Sequence, residues 1–500
     1  MTGFGDDTGR DGPGRRRTIG TGFGDDAGRD GPGRRRTIGT GSYCVVGGGI
    51  SGLTAAYRLR TAIGDQASIT LFDPADRLGG VLRTERVGGQ PMDVGAEAFV
   101  VRRPEVPALL AELGMADHRL GTTGVRPLIY SQDRLHPLPP DTLVGIPSSV
   151  ESMAGLVDDA TLARIASEPG RPLHWWPGSD PSMAELVADR FGDQVVSRSV
   201  DPLLTGVYAG SAATIGIRSA APGLAAALDS GAANLTDAVG RALPHATGGP
   251  VFGAVDGGYE VLVDELVRRS RVHWVQAAVE GVVQAADGWS LRDDTGARWC
   301  ADAVILAVPA PRLAGLVQGI APRTAAAAGR IASASSAIVA LAVPVGAPLP
   351  DHSGVLVASG ERVRAKAITL SSRKWGRRGA NDDPELLRLS FGRFGAPDDV
   401  ARCASDDELL AWAVADLAKV FGATIEPVDV CVRRWIDAMP QYGPGHADVV
   451  AEVRAGLPPT LAVAGSYLDG IGVPACVGAA GRAVTRVLTA VEGLPAEVAP

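Results

Sequence analysis

Tyr43-Cys44-Val45-Val46-Gly47-Gly48-Gly49-Ile50-Ser51-Gly52-Leu53 is the stretch whose reading decides the fold. Four residues of strand character run into Gly47-x-Gly49-x-x-Gly52, and a helix is predicted from Ile50 to Ala62. This is the order of a dinucleotide-binding βαβ unit. Gly47 allows a tight turn, Gly49 lets backbone approach a pyrophosphate, and Gly52 lets helix and strand pack closely. With Gly48, Ile50 and Ser51 they would place phosphates at a helix N-terminus, where unpaired N–H groups favour anions. A glycine-rich turn in an ordinary α/β unit has the same letters, so the neighbouring sequence must decide.

Working outward, Ser68 to Asp73 (SITLFD) reads as a second strand ending in an acid. Asp73 lies 21 residues beyond Gly52, near the spacing at which a carboxylate reaches a ribose hydroxyl. Strand-end aspartates also serve as N-caps, but here two features agree on one geometry. Asp76-Arg77-Leu78-Gly79-Gly80 then offers a second glycine turn, with Arg77 adding charge beside Gly80. Met92-Asp93-Val94-Gly95-Ala96-Glu97 ends a short strand in a third tight stretch. Three glycine-bearing turns after strands suit a large cofactor lying across one sheet, and FAD fits this better than NAD.

Composition bounds the rest. Five hundred residues imply two or three domains. With 48 basic against 56 acidic residues the chain is acidic, which disfavours indiscriminate nucleic-acid binding. Five scattered cysteines contain no CxxC pair, so neither a metal site nor a disulfide framework is expected, and a reducing cytoplasm fits. No apolar run approaches a transmembrane length and no signal-peptide core is expected. Residues 2–20 and 21–39 repeat one polar unit, differing only at Thr8 and Ala27, and residues 1–42 are expected to form a disordered tail.

The predicted architecture is an α/β, Rossmann-like FAD-binding domain from 43–103, 245–312 and 459–493. To it are added an α+β substrate domain with an antiparallel sheet (104–145 and 313–458) and a mainly helical insertion (146–244). Residues 104–114 read as an amphipathic helix, and 126–139 as two strands joined at Gln132-Asp133. Alternating runs at 337–343, 366–370, 386–391 and 429–435 predict the antiparallel sheet, with a helix at 406–421. A strand over 461–465, ending at Gly465, leads through Gly472 into a helix from Cys476.

Several of these stretches together resemble the oxygen-dependent porphyrinogen oxidases of the flavin amine-oxidase group. They are VVGGGISGLTAAYRL (45–59), DRLGGVLRTE (76–85), DVGAEAF (93–99), RLHPLP (134–139), DPLLTGVYAGSAATIGIRS (201–219), DGGYEVL (256–262), PQYGPGH (440–446) and AGSYLDGIGVPACVGAAGRA (464–483). The resemblance spans about residues 43–490, with the first two motifs common to the wider flavoprotein group. It implies that Ile471, Gly472 and Val473 run past the flavin ring, that Val279 holds the adenine end through its backbone, and that Gly95, Ala96, Glu97 and Ala98 face the cofactor. Where the family usually has Glu, this chain has Asp73; Val81 stands where some relatives have an aromatic.

The resemblance further implies oxidation of a porphyrinogen to a porphyrin, with molecular oxygen as acceptor and hydrogen peroxide as product. The flavin supplies the redox chemistry, so no catalytic triad or metal is needed, and His446 is read as structural. Arg126 corresponds to a propionate-binding arginine. Residues 361–393 hold nine basic and four acidic residues, among them Lys374 and Arg393 as further substrate-binding candidates. Such a charge balance suits coproporphyrinogen III, with four propionates, better than protoporphyrinogen IX, with two. A solvated basic loop is the plain alternative. Protoporphyrinogen oxidation, a related amine oxidase or desaturase, and a non-catalytic porphyrin or flavin carrier are the other readings. Transient contact with a ferrochelatase and homo-oligomerisation complete the expectations.

Overall fold

The computed structural model describes residues 41–244, 249–376, 382–396 and 398–492. The repeat at 2–39, Arg377 and Arg378 lie outside the described residues. A parallel five-stranded sheet forms the first layer. Strand β1 (Ser42–Val46) lies between β2 (Ser68–Phe72) and strand Ala303–Leu306. His273–Val275 and Leu461–Val463 form its edges. Val45, Leu71 and Leu306 are fully buried, as a parallel sheet covered on both faces requires.

Helix α1 (Ile50–Ile63) follows β1 directly and packs in one apolar core with helices Glu105–Glu112, Tyr259–Ser270 and Val473–Glu492. The opposite core holds helices Ala310–Val317, Pro322–Gly329 and His446–Ala455. Helical segments 105–112, 310–317, 322–329 and 446–455 thus cover the parallel sheet, although most of them fall in the stretches expected to accompany the antiparallel one. The reason is in their side chains. Val106, Leu109 and Leu110 match the apolar face of α1 and the final helix, whereas the second sheet already has a cover in Asp406–Phe421.

That second sheet has seven strands. Asp429–Pro440, Ser333–Val343, Glu385–Phe391, Ala367–Thr369 and Gly354–Val357 pair antiparallel in that order. Leu128–Ser131 then joins Gly354–Val357 in parallel, so the sheet is mixed at this one point. Leu128–Ser131 and Arg134–Pro137 form the expected hairpin. Its two-residue turn has φ of 56° at Gln132 and 54° at Asp133, the primed geometry that matches strand twist. One face of this sheet packs on Asp406–Phe421 through Val339, Leu341, Leu387 and Leu389. Side chains alternate across a strand, so Ser336, Arg388, Ser390 and Trp435 project from the opposite face.

Between residues 151 and 242 the chain is helical, with its own core around Phe191, Leu204 and Leu224. A buried ion pair, Arg190 to Glu168 at 2.8 Å, ties this unit together. Glu168 also accepts the Leu235 and Thr236 amides at 2.8 and 3.0 Å, so both charges are well satisfied.

Candidate functional site

The first glycine turn is shaped by steric exclusion. Gly47 has φ of 107°, and its amide donates to Phe72 O at 2.8 Å. A β-carbon built on Gly52 would lie 1.8 Å from Gly47 O, so only glycine lets α1 begin this close to β1. At the end of β2 the Asp73 carboxylate accepts the Gly48 amide at 2.6 Å and the Ala75 amide at 2.9 Å. The acid is therefore fixed at the mouth of the turn.

The second turn folds onto the first. The Gly79 amide donates to Gly48 O at 2.8 Å, and a β-carbon on Gly80 would stand 3.1 Å from the Gly49 Cα. Arg77 wraps this loop, donating to the carbonyls of Leu78, Leu82 and Gly80 at 2.9, 3.0 and 2.6 Å. Its guanidinium holds the loop rather than standing free beside it. The third stretch closes against the second: the Ala96 amide donates to Val81 O at 3.2 Å. At Gly95 a β-carbon would lie 1.9 Å from that same oxygen.

Ile471, Gly472 and Val473 lead into the final helix, whose packing against α1 brings its N-terminus to the same region. Gly465, with φ of 154°, opens that segment just after strand Leu461–Val463. Val279 begins the separate antiparallel strand Val279–Ala285, buried with Val46 and Phe72, and its carbonyl accepts Arg312 at 2.7 Å. The three glycine turns, Asp73 and the start of the last helix thus converge, although they span more than four hundred positions.

Trp435 was not anticipated. It projects from strand Asp429–Pro440, donates Nε1 to Val94 O at 2.8 Å, and packs 3.1 Å from where a Gly95 β-carbon would stand. A lone tryptophan in an alternating run gives no sign of this partner.

Three distant motifs also meet. Gln441 donates to Tyr208 O at 2.9 Å, and the Gly216 amide donates to Tyr442 O at 2.9 Å. The Tyr442 hydroxyl donates to Ser466 O, while His446 Nε2 bonds Tyr467 O at 2.9 Å. The Tyr442 ring lies 4.3 Å from His446 and 5.6 Å from Tyr208, tilted against both. Burial lowers the His446 pKa, and the ring's bond to a backbone carbonyl gives it a structural place.

The basic run 361–393 is not one surface. Arg364 lies over the Trp412 ring at 4.1 Å, and Arg373 pairs with Glu385 at 3.2 Å. Lys374 pairs with buried Glu97 at 2.7 Å, and Arg388 reaches the same carboxylate at 3.5 Å. Arg388 also donates to Gly95 O at 2.9 Å. Burial alone would raise the Glu97 pKa, but Arg388 and Lys374 outweigh it and hold the group at about 2. Neighbouring Asp93 is pushed the other way, to about 7, because burial outweighs its bonds to Thr84 and the Tyr259 amide. Strand alternation and the chain's bends send these side chains in different directions, which a linear count of charges hides.

Arg126 is exposed, and its carbonyl accepts the Ser353 amide at 3.3 Å. It lies on the segment whose Thr123 amide donates to Lys374 O at 2.9 Å, so these two candidates sit on adjoining stretches. Arg393 lies apart from them. Its Nη1 is 3.5 Å from Ser359 Oγ, which in turn donates to Asp201 Oδ2 at 2.7 Å.

Residues 50–488 match the flavin containing amine oxidoreductase family. The chain is 75% identical over 458 residues to coproporphyrinogen III oxidase of Mycobacterium tuberculosis, covering 92% of this chain and 99% of that one. The chain belongs to the porphyrinogen oxidases within that flavoprotein family. The Bacillus subtilis coproporphyrinogen III oxidase is 27% identical, over 89% of this chain and 97% of the relative. A crystal structure from Exiguobacterium sp. 255-15, assigned as a protoporphyrinogen oxidase, superposes with a TM-score of 0.80 at 26% identity, covering 92% of this chain and all of the other.

FAD is the cofactor of this porphyrinogen oxidase, and the residues present fit it. Side chains are excluded at Gly47, Gly52 and Gly95, which leaves a cradle of bare backbone. The Asp73 carboxylate stands at its mouth, where it accepts the Gly48 amide. Among the described residues no His/Cys/Asp/Glu group could hold a metal, and no helix is long and apolar enough to cross a membrane.

Proposed function

We propose that the enzyme oxidises coproporphyrinogen III to coproporphyrin III, with molecular oxygen reduced to hydrogen peroxide. The carrying observation is the 75% identity to the mycobacterial coproporphyrinogen III oxidase over nearly its whole length. FAD would supply two-electron redox chemistry, so a six-electron oxidation would take three cycles and three oxygen molecules.

The chain's own residues bind, orient and exclude water. Gly47 to Gly52 and Gly80 cradle the pyrophosphate, Asp73 takes a ribose hydroxyl, and Arg77 holds the second turn in place. Gly95 to Ala98 and residues 471–473 flank the ring system, with Trp435 closing the side towards the second sheet. Gly465 opens that last segment, and the Val279 backbone takes the adenine end. The wall formed by 201–210, Tyr442 and the inner face of the second sheet encloses the substrate. Arg126 and Arg393 bind its carboxylates, and Lys374 adds charge from its pair with Glu97. In the same reading the chain comprises an FAD-binding, a substrate and a helical unit. The enzyme works in the cytoplasm and passes its porphyrin to a ferrochelatase in a transient contact; its solution mass tests for a homo-oligomer.

The test is to supply purified holoenzyme with coproporphyrinogen III or protoporphyrinogen IX and to follow porphyrin fluorescence and peroxide. Faster turnover of the tetracarboxylate, with three peroxides per porphyrin, is expected. A clear preference for protoporphyrinogen IX would overturn the substrate assignment.

A further inference from the structure

Lys366 is a buried cation beside the second sheet that has hydrogen-bond partners but no counter-ion among the described residues. It is 3% exposed, and its ammonium donates to Ser336 Oγ and Gly392 O, each at 2.9 Å. Both partners are neutral, and no carboxylate among the described residues lies within ion-pair distance of it. A buried ammonium without a counter-ion is costly. Its charged neighbours increase that cost. Arg393 and Arg388 both repel it, and the acids that could compensate are engaged elsewhere. Glu97 is shared by Lys374 and Arg388. Asp201 accepts the Ala212 amide at 2.6 Å as well as Ser359. Asp93 lies on the Arg388 and Glu97 side.

These groups are linked pair by pair: Lys374 and Arg388 meet on Glu97, Arg388 and Arg393 both act on Lys366, and Asp201 acts on Arg393. Arg388 touches the Gly95 backbone, and Asp201 begins the helix Asp201–Tyr208. Next to Arg393, the Phe394 amide donates to Ala209 O at 2.6 Å, which ties this corner to the helical insertion. At Lys366 and Arg393 two cations face one carboxylate, and that carboxylate is already hydrogen-bonded. The corner lacks an anion.

We propose that Arg393, with buried Lys366 behind it, is a carboxylate subsite that receives one propionate of the substrate. Arg393 makes the contact. Lys366 is a positioning residue that adds charge through Ser336 and the Gly392 backbone. The inference rests on the porphyrinogen reading, in which Arg393 already meets a carboxylate, and adds to it the buried ammonium of Lys366 as the second charge of that subsite. Burial, then Arg393 and Arg388, lower the Lys366 pKa to about 7. An incoming carboxylate reverses that shift, so substrate or product binding takes up a proton near and above neutral pH.

The experiment titrates FAD-loaded enzyme with coproporphyrin III and with its tetramethyl ester, following porphyrin fluorescence. Wild type, Lys366→Met and Arg393→Met are compared from pH 6 to pH 9. Proton uptake is measured calorimetrically in two buffers of different ionisation enthalpy. Wild type should bind the tetra-acid more weakly as pH rises above about 7 and should take up a proton. Lys366→Met should bind it about tenfold or more weakly at pH 6.5, with the pH dependence and proton uptake lost and flavin content normal. Arg393→Met should weaken tetra-acid binding throughout the range, and neither variant should alter ester binding. A folded, flavin-loaded Lys366→Met enzyme with wild-type affinity and pH profile would overturn the subsite. Failure of wild type to oxidise coproporphyrinogen III or bind coproporphyrin III would instead overturn the porphyrinogen reading on which it rests.

Discussion

Gly52→Ala tests the cofactor cradle by its tightest approach. The new methyl carbon would lie 1.8 Å from Gly47 O and 3.0 Å from Gly47 C. An ordinary non-bonded contact needs about 3.5 Å, so the start of α1 must move from β1 by more than an ångström. That motion is opposed by Leu53, Ala55 and Ala56, all fully buried. Overpacking of this kind costs about 1–3 kcal/mol, which a domain of this size tolerates. The cofactor is affected more. Displacing the turn removes charge-assisted bonds from backbone amides to phosphate, each worth about 1.5–3 kcal/mol. Loss of two such bonds lowers FAD affinity by about a hundredfold or more. The assay compares the visible flavin absorbance of purified protein with its protein absorbance, then measures FAD rebinding by fluorescence quenching, with circular dichroism as the folding check. Gly64→Ala is the control, because Gly64 has φ of 74° but no atom within 4 Å of the added carbon. Its ψ of −166° lies in a region essentially reserved for glycine, so the change should cost about 1–3 kcal/mol of stability and leave FAD content unchanged. A folded Gly52→Ala protein that retains wild-type FAD would refute the steric argument for this cradle.

Three further outcomes follow from the same geometry. Asp73→Ala removes the acceptor of the Gly48 and Ala75 amides and should weaken FAD binding about tenfold, read by fluorescence titration. Glu97→Gln strands Lys374 and Arg388 and should destabilise the fold by about 3 kcal/mol in denaturant unfolding. Because Glu97 is held at about 2, its stabilisation is complete above its ordinary carboxylate range and is lost as pH falls towards 2; the variant should lack that loss. Lys366 has the opposite character. The unfolded chain keeps its proton up to the ordinary lysine range while the folded one releases it near 7, so folding stability rises with pH from about 7 to about 10. Lys366→Met should abolish that rise and unfold at a higher temperature than wild type at pH 6.5.

The nucleotide unit was legible because its parts are local. Gly47, Gly49 and Gly52 lie within six residues, and the backbone contacts that forbid a side chain at Gly52 are set by the same turn. Asp73 follows after one helix and one strand, so its place at the mouth of the turn is fixed by element lengths. The final helix was also legible as an element, but its junction with α1 depends on packing between residues four hundred positions apart. Trp435 and Lys366 were harder still. Trp435 meets Val94 only once the second sheet is placed against the hairpin that ends at Asp93, and Lys366 meets Ser336 only once non-neighbouring strands of the second sheet are assembled. The run 361–393 reads as one basic surface in the sequence. In the fold, Arg364 covers Trp412 while Arg388 points to Gly95, because the run contains two strands and a short helix that present different faces. Helices Ala310–Val317 and His446–Ala455 escaped notice for a related reason: each is short, and their apolar faces become evident only against the parallel sheet.

The most direct measurement is anaerobic mixing of the oxidised holoenzyme with coproporphyrinogen III, followed by admission of oxygen. Substrate should bleach the flavin absorbance without oxygen, and oxygen should restore it with release of peroxide and fluorescent coproporphyrin. Flavin that stays oxidised in the presence of coproporphyrinogen III would contradict the account.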